Sequence, residues 1–401
     1  MRIGIDASRA NCKEKTGTEW YAFYLIKALF KHIQPQDQVI LYLKDQPIVD
    51  WGEMPVNFNF KILNWPPKFL WTQIRLSLEM LLKPVDILFV PAHTIPIICP
   101  KNTLTTIHDI GFEHNQSLYD QKDISRKGLG KNFLNFIVRL VTLGKYGANE
   151  YDYHRFSARL AFKKCKNILT VSEFSKKDII NTYKIEPERI TVIYNGVNTD
   201  KFNISVKNDL TKIHEIQGRI GIKPPYLMTL GRIEKKKNSL GLVEAFCLLK
   251  KEKGFNDFKL LMVGKPGFGY SEILNKIKSY GLEKEIYLPG WVADQDIPYL
   301  LASAEVFLLP SFFEGFGVPV IEAMAVNTPV VCSNLTAFPE IIGSAGILID
   351  PYNPGKIAQA IKKIFEDPEL INRLTQEGQQ RSKIFNWDKS AKLLSRIIYS
   401  L

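Results

Sequence analysis

Two short stretches of this chain hold the residue types that chemistry on a phosphorylated ligand needs. The first, Pro310-Ser-Phe-Phe-Glu-Gly-Phe-Gly-Val-Pro-Val-Ile-Glu322, sets carboxylates at Glu314 and Glu322 on either side of a turn that carries Gly315 and Gly317. An apolar run ends at Pro310, and Pro319 stands where the first turn of a helix tolerates proline. The glycines let backbone approach a ligand closely, and the free N–H groups of a helix start attract anions. Glu314 falls in the loop, whereas Glu322 falls about one turn into the helix, where its oxygens can accept hydrogen bonds from hydroxyls of a sugar or ribose. The second stretch, Leu230-Gly-Arg-Ile-Glu-Lys-Lys-Lys-Asn238, leaves a strand and enters a helix. Arg232 and Lys237 then stand at the carboxyl edge of a sheet. A planar guanidinium fork and a mobile ammonium can bind a diphosphate and stabilise it as a leaving group. Lys235 and Lys236 read as solvated neighbours.

Weaker candidates lie in the first half. His108, in Thr106-Ile-His-Asp-Ile-Gly111, follows an apolar strand. It is either a satisfied structural histidine or a hydrogen-bonding group at the strand's end, and Asp109 could orient it or bind a second substrate. His93, in Pro91-Ala-His-Thr94, occupies a similar place. Asp294-Gln-Asp296 has a metal-binding spacing but immediately precedes a helix, so N-capping is the expectation and no metal site is assigned. No G-x-G-x-x-G follows a strand with an acidic residue about 20 positions on, which excludes a dinucleotide-binding oxidoreductase.

The elements that must position these residues follow from periodicity. Short β-branched runs alternate with helix-length amphipathic ones, as in parallel α/β sheets. Strands are expected at 2–6, 38–43, 87–90, 103–106, 167–171 and 190–193, then at 226–230, 259–263, 285–288, 306–309, 329–332 and 346–349. Helices are expected between them, at 71–82 among others, with 201–210 as a connector. The 401 residues exceed what one core usually serves, so two domains are expected, near 1–200 and 201–385, with a last helix at 386–401 that crosses back to the first. Five scattered cysteines without a CxxC pair read as reduced thiols of a cytoplasmic protein. Neither a signal peptide nor a run of about 18 apolar residues is evident. The net charge is +12, and segment 121–166 alone holds eleven Lys and Arg against three acidic residues. Its apolar stretch Asn132–Leu143 is followed by cations and aromatics. That composition suits either a helix peripheral to an anionic membrane or a buried helix with a solvated basic side.

Taken together these motifs resemble the retaining glycosyltransferases of family 4, also called group 1. The E-x7-E pattern of that family matches Glu314 and Glu322, and its G-R-x4-K-N pattern matches Gly231, Arg232, Lys237 and Asn238. Further matches are Gly17, His108-Asp109, Val171-Ser-Glu-Phe-Ser175, Tyr194-Asn-Gly-Val197, Gly290-Trp291, Phe338-Pro-Glu340 and Gly346. The resemblance implies an α/β architecture of GT-B type, with two Rossmann-like, doubly wound domains facing a cleft. It further implies transfer of a hexose, with mannose preferred, from a GDP- or UDP-sugar to a glycan or lipid-linked acceptor in surface polysaccharide synthesis. The sugar nucleotide would be a co-substrate, with no cofactor, metal or nucleic acid involved. Arg232 and Lys237 would hold the donor diphosphate, Glu322 the ribose, and Glu314 with the backbone of Phe316, Gly317 and Val318 the transferred sugar. His108 would bond a sugar hydroxyl. Gly17 and Thr18, in Lys15-Thr-Gly-Thr-Glu19, would face the phosphates, although this loop has one glycine where many relatives have two. His93 and Asp109 would face the acceptor. A nucleotide-sugar epimerase of the same fold and a non-catalytic nucleotide-sugar binder are the alternatives.

Overall fold

A computed structural model describes residues 1–65, 70–119 and 150–401. The chain forms two compact units, Met1–Asn195 with Trp387–Leu401, and Gly196–Asn386. Each is built on a fully parallel sheet. The first runs in the order β3-β2-β1-β4-β5-β6-β7 and comprises Phe58–Ile62, Gln38–Leu43, Arg2–Asp6, Ile87–Val90, Thr103–Thr106, Asn167–Thr170 and Ile190–Val192. The second runs β10-β9-β8-β11-β12-β13 and comprises Ile286–Gly290, Lys259–Val263, Tyr226–Leu230, Val306–Leu309, Val330–Ser333 and Ile347–Ile349. Both orders reverse direction beside their first strand, between β1 and β4 and between β8 and β11. At such a switch point adjacent loops leave on opposite faces and open a crevice at the carboxyl edge.

Central strands such as Val306–Leu309 are apolar at every position because helices cover both sheet faces. The edge strand Phe58–Ile62, absent from the sequence expectation, alternates apolar and polar residues and is half-exposed beyond its first position. The helix Leu210–Ile220 also escaped periodicity. It begins inside the presumed connector, is capped by Asp209, whose side chain accepts from the Lys212 N–H at 3.0 Å, and buries Ile213 and Ile216. The expected helix at 71–82 opens as a π-helical turn, Trp71–Leu76, before the regular turn Ser77–Leu82.

Of the basic insert, residues 121–149 lie outside the described residues. Within Glu150–Lys164, Ala158, Ala161 and Phe162 are packed in the first core, which favours the buried-helix reading for this part. The last helix, Trp387–Tyr399, belongs to the first unit. The Trp387 ring meets those of Tyr21 and Tyr24 at 5.9 and 5.7 Å, and the Tyr399 hydroxyl donates to Asp37 at 2.8 Å. Among the described residues no helix is long and apolar enough to cross a membrane.

Candidate active site

In the second unit the site grows from the loops after β8 and β11, which flank the switch point. Gly231 leaves β8 at a φ of 141°, and Gly264, leaving β9 at 147°, packs so closely that a Cβ on it would lie 1.8 Å from the Gly231 carbonyl oxygen. The Ile233 N–H donates to the Lys265 carbonyl at 3.0 Å and continues this interlock. At the loop's end Asn238 adopts a left-handed conformation. Its side-chain oxygen accepts from Gly241 N–H at 3.2 Å, capping the helix Ser239–Leu249, and its amide donates to the Pro351 carbonyl at 2.7 Å. Asn238 therefore fixes where the loop stops, while Lys237 folds back across Gly231.

The loop after β11 is tied to the first through its backbone, the Phe312 N–H donating to the Lys236 carbonyl at 2.9 Å. Lys237 Nζ forms an ion pair with the buried carboxylate of Glu314. Glu314 N–H donates to Thr336 Oγ1 at 3.2 Å. Gly317 turns at a φ of 91° against Phe338, where a Cβ would come within 2.7 Å of the ring. The helix Val318–Ala325 starts there with Pro319 in its first turn. Gly315 is buried, and Phe316 is buried with its ring 5.4 Å from that of Phe385, so its side chain packs within the second unit. Arg232 is exposed and makes no hydrogen bond or ion pair with a described residue. A guanidinium so placed is available to an anion at no cost in broken pairs.

Glu322 stands apart from this cluster. Burial pushes its carboxyl up to about 8, with Asp294 reinforcing the shift and Lys201 opposing it. Near neutral pH the group is thus mainly a carboxylic acid, able to donate one hydrogen bond and accept others, which suits a vicinal diol. An acid whose folded value is raised keeps a proton that the unfolded chain has shed, so folded stability falls as pH rises from about 4.5 to about 8. Glu322→Gln should remove that slope and gain, relative to the parent, on the order of a few kcal/mol between the two ends of the window. Denaturant titrations at both ends measure this; equal slopes in parent and variant would contradict it. The Asp296 side chain does not cap the helix Ile297–Ala302 as expected; it pairs with Arg219 instead.

In the first unit, Asp6 ends β1 and is buried, accepting from Ser8 Oγ at 2.6 Å and from Thr72 Oγ1 at 3.3 Å. Thr16 and Glu19 form a reciprocal capping box that starts the helix Gly17–Leu29. Gly17 is exposed and has nothing within 4 Å of an added Cβ, while Thr18 is half-buried. The buried Lys15, which sequence reasoning passed over, donates to the Cys12 carbonyl at 2.6 Å with its ammonium 4.9 Å from the Trp20 ring centre.

His108 follows β5 with Nε2 3.4 Å from the Pro91 carbonyl and the Tyr21 ring edge-on at 4.7 Å. Burial lowers its pKa to about 4, so it is a neutral imidazole at physiological pH. Asp109 accepts from the Gly111 N–H at 3.0 Å and so has a local structural task. His93 shares a 2.8 Å hydrogen bond with His154, whose ring stacks on Phe112. Burial, His154, Arg9 and His108 hold His93 well below the ordinary histidine value. His93, His108 and Arg9 thus gather at the carboxyl ends of β1, β4 and β5. His154 and Arg9 carried no signal in the sequence because their partners are distant in the chain.

Residues 16–201 match the family described as Glycosyltransferase Family 4, and residues 212–381 match Glycosyl transferases group 1. The O-antigen chain mannosyltransferase B of Escherichia coli is 33% identical over 236 residues, 59% of this chain and 61% of that protein. The O-antigen chain mannosyltransferase RfbU of Salmonella typhimurium is 28% identical over 283 residues, 70% of this chain and 65% of that one. The matched chain thus spans under two thirds of the length of these curated relatives. Among solved structures, Anabaena Alr3699/HepE in complex with UDP and glucose superposes with a TM-score of 0.70 at 18% identity, over 100% of this chain and 99% of that one. This likeness shows the fold, GT-B, with its paired Rossmann-like sheets.

Proposed function

Since the chain belongs to the group 1 glycosyltransferases of family 4, we propose that it transfers a hexose from a nucleoside diphosphate to an acceptor hydroxyl with retention of configuration. The observation that carries this reading is the junction of the two loops, where Lys237 pairs with Glu314 beside the glycine-flanked helix start. The loop of Lys237 also supplies the exposed Arg232. Fixed cations and helix N–H groups there would bind the diphosphate and take up the charge that builds on it as the glycosidic bond breaks. Glu314, held by Lys237 and Thr336, would accept hydrogen bonds from the sugar hydroxyls, and Glu322 would bind the ribose. Gly17 and Thr18 would lie near the phosphates, and Gly17 leaves room for them.

His108, being neutral, would bond a sugar hydroxyl without adding positive charge next to an oxocarbenium-like centre. The leaving phosphate would serve as base toward the acceptor hydroxyl. The donor is a GDP- or UDP-hexose. The two O-antigen chain mannosyltransferase relatives support mannose as the sugar and a glycan chain as the acceptor class, and on this reading that chain is lipid-linked. Such work would be done in the cytoplasm, at the inner face of a membrane, with His93 and Asp109 on the acceptor side. Incubation with labelled GDP-mannose and UDP-glucose tests the class: slow release of free sugar supports a transferase. Conversion of either donor into an epimeric sugar on the same nucleotide would instead indicate an epimerase, and binding without turnover a sensor.

A further inference from the structure

The helical segment Trp71–Leu82 is apolar on both sides. Its inner face seats Trp71, Leu76 and Met80 in the first core. Its outer face presents Ile74, Leu78, Leu81 and Leu82, with 59% of Leu81 and 67% of Leu82 open to solvent. These positions fall at i, i+4, i+7 and i+8, one continuous stripe of a helix. Isolated exposed leucines need no explanation, but a contiguous apolar patch does.

The stripe has neighbours that extend it. The Ile98 N–H donates to Ser77 Oγ at 3.2 Å, tying the exposed pair Ile97-Ile98 to the same segment. Lys164 Nζ donates to the Ile97 carbonyl and brings up the basic end of the helix Glu150–Lys164. Lys163, Lys164 and Lys166 are exposed there, as are Lys83 and Lys101, which closely follow the stripe and the isoleucine pair in sequence. The carboxylate inside the segment, Glu79, is buried and bound by Lys61 and Arg75.

We infer that this face docks onto an anionic lipid bilayer. The leucine stripe enters the acyl boundary, and the lysines at its margin reach the headgroup phosphates while their stems cover apolar surface. A second copy of the chain is the poorer occupant, because a two-fold contact centred on the stripe would set these lysines against their own counterparts. The loop that bears Ile97 and Ile98 also bears His93 at the carboxyl end of β4. On the transferase reading, docking holds the acceptor-side loop at the surface where a lipid-linked acceptor resides. The docking itself does not depend on that reading.

Flotation of the full chain with vesicles tests it, comparing phosphatidylcholine alone with phosphatidylcholine containing phosphatidylglycerol. Binding is expected to the anionic vesicles and to weaken as salt rises. Leu81→Ser with Leu82→Ser should lower the partition coefficient at least about ten-fold. Circular dichroism and any thermal shift by GDP or UDP should stay at parental values, since both leucines are exposed and belong to neither site loop. Lys163→Glu with Lys164→Glu should lower binding to anionic vesicles alone. The inference is overturned by undiminished flotation of the leucine variant. It is equally overturned if those leucines govern concentration-dependent self-association while vesicles are not bound. Loss of binding on charge reversal at Lys127, Lys131, Arg139 and Lys145, with the leucine variant unaffected, would move the membrane contact to the basic insert.

Discussion

Lys237→Ala is expected to lower kcat by about 10²- to 10³-fold, the scale on which removing one preorganised group that stabilises developing charge acts. The lysine is not simply a surface cation. Its stem lies over Gly231 and its ammonium reaches Glu314, and on the proposed transferase reading that is where the leaving diphosphate gathers charge. Its removal also leaves the buried Glu314 carboxylate without its counter-ion, which alone destabilises the fold. The two effects separate by charge. Glu314→Gln in the Lys237→Ala background should restore much of the lost stability, because the orphaned charge is gone, yet should not restore turnover. Alone, Glu314→Gln should bind GDP or UDP at least as tightly as the parent, since a negative charge beside the phosphates has been removed, while losing transfer. If the double variant recovered turnover along with stability, Lys237 would be a structural residue only.

The second large effect concerns Gly264→Ala. The position has a φ of 147°, and the added methyl would lie 1.8 Å from the Gly231 carbonyl oxygen, a distance that neither loop can absorb by rotating a side chain. The expected cost is about 3 kcal/mol or more, from strain plus forced displacement. What gives way should be the loop that carries Arg232 and Lys237, so nucleotide affinity should fall with stability. Gly17→Ala is the control. Among the described residues nothing beyond its own chain neighbours and helix backbone lies within 4 Å of an added Cβ, and the residue opens a helix, so the melting temperature should hold. Calorimetric unfolding with and without nucleotide measures both. A Gly264→Ala protein with parental stability would show that the interlock of the two loops is not needed.

The parallel sheets were legible because central strands such as Ile87–Val90 and Val306–Leu309 read as unbroken apolar runs, and the stretches 231–238 and 310–322 each follow a strand at its carboxyl edge. Phe58–Ile62 was not, because an edge strand need bury only part of its surface and carries Asn59 and Lys61 between its apolar residues. The helix Leu210–Ile220 was masked by a high polar content, though its buried positions keep helical spacing. At the proposed site, residue type and order are what point to Arg232 and Lys237 for a diphosphate and to Glu314 and Glu322 for hydroxyls. Protonation was less accessible. The raised pKa of Glu322 depends on burial and Asp294, and the lowered one of His108 on the surroundings of β5, neither of which can be read from neighbours in sequence. Asp296 shows the reverse failure, in which a local capping pattern lost to an ion pair with Arg219, 77 residues away.

Calorimetric titration of GDP and UDP into the parent and into Arg232→Ala, with GMP and UMP alongside, tests most directly that a diphosphate is the group these loops bind. The account predicts that one diphosphate binds well and its monophosphate poorly. It also predicts that the arginine variant, whose fold should be untouched because the exposed side chain has no hydrogen-bond or ion-pair partner among the described residues, weakens the diphosphate by about 30-fold or more while hardly changing the monophosphate. Equal affinity of parent and variant for the diphosphate would contradict it.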